Sequence, residues 1–301
     1  MIPISARSPL KARTLDPDPP GHPSVGGTLA FVFGGGGARG ACQVGMLHGL
    51  LSLGLTPDLV LGVSVGALNG AVLAEEPNPS GLARLTTLWS GAPLQSLFPR
   101  RRTLRFLSNR ESVHPGDPLR ELIRNNLSMR DVADGNLPLH LLLTDADSGD
   151  EAWFHHGPVV ELLYGSAAIP GVLPPLRLDG HRYIDGGMVN PNPVKHAVEL
   201  GATRIILLLC GSLTPTFHSK GRPLSTLLMG YSLTQLALTK RELADLPTWV
   251  RIVVIECDAA ESIDALDFGQ SSALLAAGER SVARASDQLR GLLESATETG
   301  P

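Results

Sequence analysis

The chain has 301 residues, of which 43% are hydrophobic and 18% are charged, so it can bury one large α/β core. Its formal net charge of −4 excludes a global positive field that would draw it onto nucleic acid or an anionic membrane. Three widely spaced cysteines, Cys42, Cys210 and Cys257, favour reduced thiols over a disulfide framework. Since the sequence has no recognisable secretory leader and no stretch of roughly 18 apolar residues, we expect a cytoplasmic protein.

The first regular elements repeat one pattern of strand, turn and helix. Residues 1–27 are rich in proline and glycine and predict a disordered leader. The apolar run TLAFVF at 28–33 predicts a buried strand that stops at four glycines, and a helical pattern then continues to Gly54. The run LVLGVS at 59–64 and the helical pattern at 67–76 repeat this order. Two such units predict neighbouring parallel strands.

An irregular stretch and a further helix follow. Residues 91–116 interleave prolines with basic and apolar residues and predict a variable, cap-like insertion. Its basic cluster at 100–105 is typical of a solvated loop. Asp117 and Pro118 predict the N-cap and the first position of a helix. The apolar face of this helix, which we expect to pack on the core, is formed by Leu119, Leu122, Ile123 and Leu127.

The second half of the chain predicts two hairpins and more buried strands. The first hairpin turns at Ser148 and Gly149, and the second at Asp179 and Gly180. A helix at 158–168 lies between them. The remaining predicted elements are a helix that ends at Gly201, strands at 202–210 and 251–258, and one long helix from Phe268.

Four glycines at residues 34–37 precede the first helix. Glycine tolerates φ > 0 and amides at a helix N-terminus bind negative charge, so the loop predicts a site for a phosphate or a developing oxyanion. Gly35, Gly37 and Gly40 also satisfy the dinucleotide fingerprint. However, the acidic ribose ligand belongs at the end of the second strand, whereas Asp58 precedes that strand, and no Walker-type lysine follows the glycines. A ligand-free turn and a nucleotide-binding module both remain open.

The pentapeptide GVSVG at residues 62–66 matches the nucleophile motif G-x-S-x-G. It lies between a predicted strand and a predicted helix, where a sharp turn presents the serine oxygen of Ser64. Side chains in place of Gly62 or Gly66 would collide with the neighbouring strand and helix. Ser64 at a helix N-terminus would also benefit from the helix dipole when an anionic intermediate forms.

In the later sequence YIDGG, Asp185 lies where a short strand gives way to Gly186 and Gly187. Taken alone, Asp-Gly is a common turn. In this order and spacing, however, GGGGARG, GVSVG and DGG resemble the patatin-like phospholipase family, and the connecting stretch SAAIPGVLPPLRLDGHRYIDGGMVNPNPV is similar to that family as well. The resemblance implies a three-layer α/β/α fold with a mainly parallel central sheet over residues 28–290, followed by a flexible tail at 291–301.

The resemblance also implies a function, that of a serine acyl hydrolase that cleaves lipid carboxylic esters through an acyl-enzyme, without a metal or cofactor. Family members use a Ser–Asp dyad without histidine, which makes Ser64 the nucleophile and Asp185 its proton acceptor. The oxyanion hole implied by position consists of Gly35, Gly36, Gly37, Ala38, Arg39 and Gly40. The implied partner is a lipid or fatty acyl ester, with peripheral contact to a membrane, and nucleic acid is not expected. With such a substrate, the basic cluster at 100–105 becomes a candidate for contact with anionic head groups.

Three alternatives compete with this reading. An α/β-hydrolase needs a histidine after its last strand, but the last histidine, His218, precedes the strand at 251–258. His155 and His156 suggest a metal site, yet no third ligand of suitable spacing accompanies them, and we expect them on the surface of a hairpin. The third alternative is a lipid-binding protein whose hydrolase residues are vestigial.

Overall fold

One mixed β-sheet organises the chain. The computed structural model describes residues 27–91, 97, 112–214, 223–265 and 267–294, and within these residues eight strands form a single sheet. The strands are β1 (Thr28–Phe33), β2 (Leu59–Val63), β3 (Leu139–Asp145), β4 (Glu151–Phe154), β5 (Leu176–Leu178), β6 (His181–Asp185), β7 (Ala202–Leu209) and β8 (Arg251–Glu256). The helices are α1 (Ala41–Ser52), α2 (Val65–Glu75), α3 (Pro79–Ser90), α4 (Asp117–Asn126), α5 (Val159–Ser166), α6 (Val194–Glu199), α7 (Pro223–Ala244), α8 (Ser271–Arg284) and α9 (Ser286–Glu294).

The centre of the sheet is parallel. Its strands run in the order β3-β2-β1-β7-β8, and all four pairings between them are parallel. β4 and β6 pair with β3 in antiparallel directions, and β5 extends the edge beyond β6. Both predicted hairpins are present, and the first two strand–turn–helix units supply the neighbours β1 and β2. The expected α/β fold with a mainly parallel central sheet is therefore confirmed.

Both faces of the sheet are buried. Phe31 and Phe33 of β1 belong to a hydrophobic cluster with α1, α2, α3 and α8, whereas Ala30 and Val32 of the same strand belong to a second cluster with α6. This alternation follows from the two-residue period of a strand, and it gives the sheet a helical layer on each side. Burial on both faces also explains why the central strands are continuous apolar runs.

The backbones of helices α1 and α8 lie in direct contact at two glycines. A Cβ on Gly45 would lie 1.9 Å from Leu275 O, and a Cβ on Gly278 would lie 2.0 Å from Cys42 O. Only glycine permits this approach of two helix backbones. The contact fixes α1 and, with it, the glycine loop that precedes α1.

Several helix boundaries differ from the expectation. α4 begins at Asp117 itself, after Gly116, so Asp117 is not the N-cap, and its charge instead lies in the first turn, where the helix dipole favours it. The single long helix expected from Phe268 is a short 3₁₀ turn followed by α8 and α9, which are separated at Ala285. α9 continues to Glu294 and so includes the first four residues of the predicted tail at 291–301.

Two helices, α3 and α7, were not predicted. α3 carries a local signal, because Asn78 accepts hydrogen bonds from Ser80 N and Gly81 N and Pro79 occupies the first helical position. Residues 1–26, the basic cluster at 100–105 and most of the predicted insertion lie outside the described residues. None of the helices that the structure describes combines the length and the apolar character needed to cross a membrane.

Candidate active site

The carboxyl ends of β2 and β6 meet on β3. β2 runs parallel to β3 and ends with Val63 paired to Leu142. β6 runs antiparallel to β3 and ends with Asp185 paired to Leu143. Because the two partners are consecutive in β3, Ser64 after β2 and Asp185 at the end of β6 reach the same point of the sheet. Residues 121 positions apart in the sequence thus become neighbours.

Ser64 alone forms the turn between β2 and α2. Its φ of 56° and ψ of −126° lie in a region that usually requires glycine, so the serine is held in a strained conformation. The Ser64 amide donates to Ser166 Oγ at 2.9 Å, and the Ser166 hydroxyl donates to Leu142 O at 2.7 Å. Ser166, at the end of α5, therefore braces the strained turn, a role that no motif in the sequence indicates.

The glycines on either side of Ser64 make room for this turn. A Cβ on Gly62 would lie 2.5 Å from Ala67 Cα in α2, and a Cβ on Gly66 would lie 2.3 Å from Phe33 O in β1. In both cases the obstacle is backbone, which cannot rotate aside. The collisions with the neighbouring helix and strand are those predicted from the G-x-S-x-G motif.

The Ser64 hydroxyl donates a hydrogen bond to Asp185 Oδ2 at 2.6 Å. The other carboxylate oxygen, Oδ1, accepts from Gly187 N at 2.7 Å. Ser64 is 5% exposed and Asp185 is 1% exposed. Burial raises the pKa of Asp185 to about 6, and the hydrogen bonds from Ser64 and Gly187 oppose part of this rise. The pair is thus a buried hydroxyl and a carboxylate that titrates close to neutral pH.

Helix α7 closes the far side of the Asp185 turn. Gly186 and Gly187 lack side chains for different reasons: a Cβ on Gly186 would lie 2.2 Å from Leu142 O, and one on Gly187 would lie 2.8 Å from Gln235 Nε2 and 3.0 Å from Tyr231 Oη. Burial raises the pKa of Tyr231, and the negative charge of Asp185 adds to this effect. Neither α7 residue was a sequence candidate, because α7 itself was not predicted.

The glycine loop lies directly beside Ser64, since a Cβ on Gly35 would be 3.5 Å from Ser64 Cβ. Three of its amides are used to hold the loop. Gly35 N donates to Pro191 O at 3.2 Å, Ala38 N donates to Ala265 O at 2.7 Å, and Arg39 N donates to Gly36 O at 3.3 Å.

Two other amides of the loop are not used to hold it. Within the part of the chain that the structure describes, Gly36 N and Gly37 N donate to no protein acceptor. Gly40 is buried, and a Cβ there would lie 2.6 Å from Val65 Cγ2, so this glycine serves packing. The guanidinium of Arg39 donates through Nε to Ile263 O at 3.0 Å and anchors the loop. Of the six residues predicted for an oxyanion hole, Gly36 and Gly37 thus have amides with no protein acceptor among the described residues, and Gly37 lines the cavity at Ser64.

A cavity of about 780 Å³, which includes space open to solvent, begins at Ser64 and runs between α2 and α4. No charged side chain lines the part that the structure describes, and the polar atoms of Asn69 bond to Gly40 O, Gln43 Oε1 and Trp89 Nε1. The apolar face of α4 lines this cavity in addition to joining the core. Further apolar walls come from Val65, Leu68, Val72, Leu88, Trp89 and Phe268.

The position of Asp58 argues against a dinucleotide site at the glycine loop. Asp58 Oδ2 accepts a hydrogen bond from Leu29 N at 2.8 Å, so this carboxylate joins the amino ends of β1 and β2. The glycine loop lies at the carboxyl ends of the same strands. A ribose bound beside the loop would therefore be out of reach of Asp58.

No histidine of the described residues is hydrogen-bonded to Ser64, whose side-chain partners are Ser166 and Asp185. His181 Nδ1 is 3.1 Å from Asp145 Oδ2, and His155, which is half-buried rather than fully on the surface, stacks on His140 with ring centroids 5.4 Å apart. His218 lies outside those residues. Within the described part of the chain, one group could share an ion, namely Asp145, Asp147 and His181, and Asp147 already pairs with Arg182.

Comparison with known proteins gives a consistent picture. The family model described as patatin-like phospholipase matches residues 31–198. Similar curated proteins include neuropathy target esterase sws of Drosophila melanogaster, 31% identical over 196 residues, and patatin-like phospholipase domain-containing protein 6 of Homo sapiens, 32% identical over 190 residues. Each match covers 62% of this chain but only 13% and 14%, respectively, of the relative. The chain thus matches a small part of much longer proteins.

Proposed function

The chain belongs to the patatin-like phospholipase family, and on this premise we propose that it is a serine hydrolase of lipid carboxylic esters. The observation that carries the proposal is the 2.6 Å hydrogen bond from Ser64 Oγ to Asp185 Oδ2. A nucleophile and a base within hydrogen-bond reach are the minimum for covalent ester hydrolysis. The neighbouring loop amides and the apolar cavity add what a lipid ester requires.

The proposed reaction proceeds through an acyl-enzyme. Ionised Asp185 takes the hydroxyl proton while Ser64 Oγ attacks the ester carbonyl, and the same proton then passes to the departing alcohol. Water next attacks the acyl group on Ser64, delivers one proton to Asp185 and releases the fatty acid. Return of that proton to Ser64 Oγ restores the starting state. Every proton transfer in this cycle uses one carboxylate.

Asp185 suits this role because of its surroundings. An aspartate with an ordinary pKa is a weak base, whereas proton transfer is most effective when the pKa lies near the working pH. Burial brings the pKa of Asp185 to about 6. The bond from Gly187 N to Oδ1 keeps the other oxygen, Oδ2, directed at Ser64.

The negative charge that develops on the carbonyl oxygen needs donors, and we assign them to Gly36 N and Gly37 N. Both amides lack a protein acceptor among the described residues, and both precede α1, whose N-terminus favours negative charge. Loss of one such donor costs about 2.7 to 4 kcal/mol of barrier in other hydrolases. The loop is therefore expected to contribute as much to the rate as the base does.

Ser64→Ala tests the function directly. We expect it to lower kcat on p-nitrophenyl esters by about 10⁴-fold or more and to abolish labelling by a fluorophosphonate probe. Ser52→Ala, at an exposed hydroxyl of α1, is the matched control and should keep both properties. Wild-type turnover in Ser64→Ala would refute the nucleophile, and lipid binding without labelling of the wild-type protein would favour the vestigial alternative.

A further inference from the structure

The apolar cavity extends for two helical turns beyond Ser64. Its lining recurs along one face of α2, at the N-cap Ser64 and at Leu68 and Val72. At 1.5 Å of rise per residue, Val72 lies about 12 Å along the helix axis from Ser64. The cavity therefore leads away from the hydroxyl over a distance comparable to an acyl chain of medium length.

The far end of the cavity lies where α2 and α4 finish. Glu75, the last residue of α2, accepts hydrogen bonds at Oε1 from Ser128 N at 2.6 Å and Met129 N at 2.8 Å. The same carboxylate pairs with Arg84 of α3. Leu127, which immediately precedes these bonded amides, lines the cavity. α2, α3 and the segment that follows α4 are thus tied together at the end opposite Ser64.

The chemistry of this end suits an uncharged chain. Asn126 Nδ2 donates to Leu122 O at 2.8 Å, and the other lining side chains here, Val72, Leu122, Ile123 and Leu127, are apolar. A charged ligand group would give up more hydration here than these side chains could replace. Each buried methylene group, in contrast, strengthens binding about fourfold.

From this arrangement we propose that Val72 and Leu127 limit the length of the acyl chain that the Ser64 site accepts. The proposal deepens the hydrolase function and rests on it. A chain held by its carbonyl at Ser64 extends along α2 and places its terminal methyl group against these two side chains. Because protein interiors are close-packed, a longer chain can enter only by displacing them.

Variants of Val72 test this limit through the ratio of kcat/KM values along a series of p-nitrophenyl esters from butyrate to palmitate. Val72→Phe fills the end of the cavity and should lower the value for the longest accepted ester about tenfold or more relative to butyrate. Val72→Ala should move the preference to longer chains. Leu73→Ala is the matched control, because Leu73 is also 3% exposed but does not line the cavity, and it should leave the ratios unchanged.

Leu127→Phe provides a second route to the same result if Val72→Phe folds poorly. A ratio is independent of the fraction of folded enzyme, so the comparison holds even for destabilised variants. Wild-type chain preference in both phenylalanine variants would overturn the proposal while leaving the hydrolase function intact.

Binding of free fatty acids separates the two proposals further. Calorimetric titration of Ser64→Ala needs no turnover, and we expect affinity to rise with chain length up to a limit. The limit should fall to a shorter chain in the double variant Ser64→Ala, Val72→Phe. An unchanged limit, or no binding of any chain, would refute the role of these side chains whether or not the wild-type protein hydrolyses esters.

Discussion

Two neighbouring units of the sheet, β1 with α1 and β2 with α2, end their strands in opposite ways. Residues 34–40 separate β1 from α1, whereas Ser64 alone separates β2 from α2. The longer turn presents backbone amides, and the single-residue turn presents a side chain. In the proposed reaction, the first unit therefore supplies donors for negative charge and the second supplies the oxygen that attacks the carbonyl.

The two turns reach φ > 0 by different means. Gly37, with a φ of 59°, meets no steric penalty because it has no Cβ. Ser64, with a φ of 56°, keeps its side chain and is held in place by Ser166 and by the space at Gly62 and Gly66. In the first turn, which presents only backbone amides, a glycine itself adopts the positive φ. In the second turn, which presents a side chain, a serine adopts the positive φ, and Gly62 and Gly66 provide the space around it.

Among the variants that test this comparison of the two turns, Gly37→Ala is expected to have the largest effect on kcat. The added Cβ would lie 2.3 Å from Ala265 O, and alanine also disfavours the positive φ. We expect the loop to shift and kcat on p-nitrophenyl esters to fall about a hundredfold to a thousandfold, the usual loss for a missing oxyanion donor.

Gly35→Ala is the control for that loss. It lies in the same loop, but its Cβ would meet nothing closer than Ser64 Cβ at 3.5 Å, and its amide already donates to Pro191 O. We expect a much smaller loss of kcat. Equal losses in the two variants would show that the loop acts through its shape and not through the amides of Gly36 and Gly37.

The pH dependence of hydrolysis is expected to come from Asp185, the β6 residue that bonds to Ser64 of the second unit, and not from the amides of the first unit. Asp185 must be ionised to act as a base, and its pKa is about 6. The value of kcat/KM should therefore fall about tenfold per pH unit below pH 6 and level off above it. This limb should be absent from the residual activity of Asp185→Asn, and a limb that persists there would point to a different base.

Much of this site could be predicted from local sequence. The apolar runs of β1 and β2, the four glycines and the pentapeptide around Ser64 each report on a few consecutive residues, whose backbone preferences decide a strand, a turn and a helix start. The same applies to Asp185, which lies at a strand end and is followed by two glycines. These patterns depend on steric and capping rules that act within one turn.

The parts that could not be predicted depend on contacts between distant segments. The register of β3 decides that Val63 and Asp185 pair with consecutive residues, and no local pattern encodes that register. Ser166 and Gln235 reach the site from α5 and α7 only after the helices have packed on the sheet. The assignment of oxyanion donors also changes at this level, since Pro191 and Ala265 occupy amides that the motif alone leaves open.

The smallest expected effect concerns stability. The pKa of Asp185 is higher in the folded chain, about 6, than the ordinary 3.8, so the folded state binds this proton more tightly than the unfolded state does. The free energy of unfolding therefore rises as the pH falls from about 6 towards 4. Above pH 6, the buried charge costs up to about 3 kcal/mol, and Asp185→Asn should recover part of this at pH 8 while abolishing the base.

Urea denaturation of Asp185→Asn and the wild-type protein at pH 8 and pH 4 measures this difference. The gain should be present at pH 8 and absent at pH 4, because the wild-type carboxyl is protonated in the folded state at the lower pH. Asp147→Asn is the control, because Arg182 lowers the pKa of the exposed Asp147 where burial raises that of Asp185. Loss of the Asp147 carboxylate should therefore not stabilise the fold at pH 8. If Asp185→Asn is less stable than wild type at pH 8 and equally so at pH 4, the hydrogen bonds of Asp185 outweigh the cost of its buried charge, and this prediction is wrong.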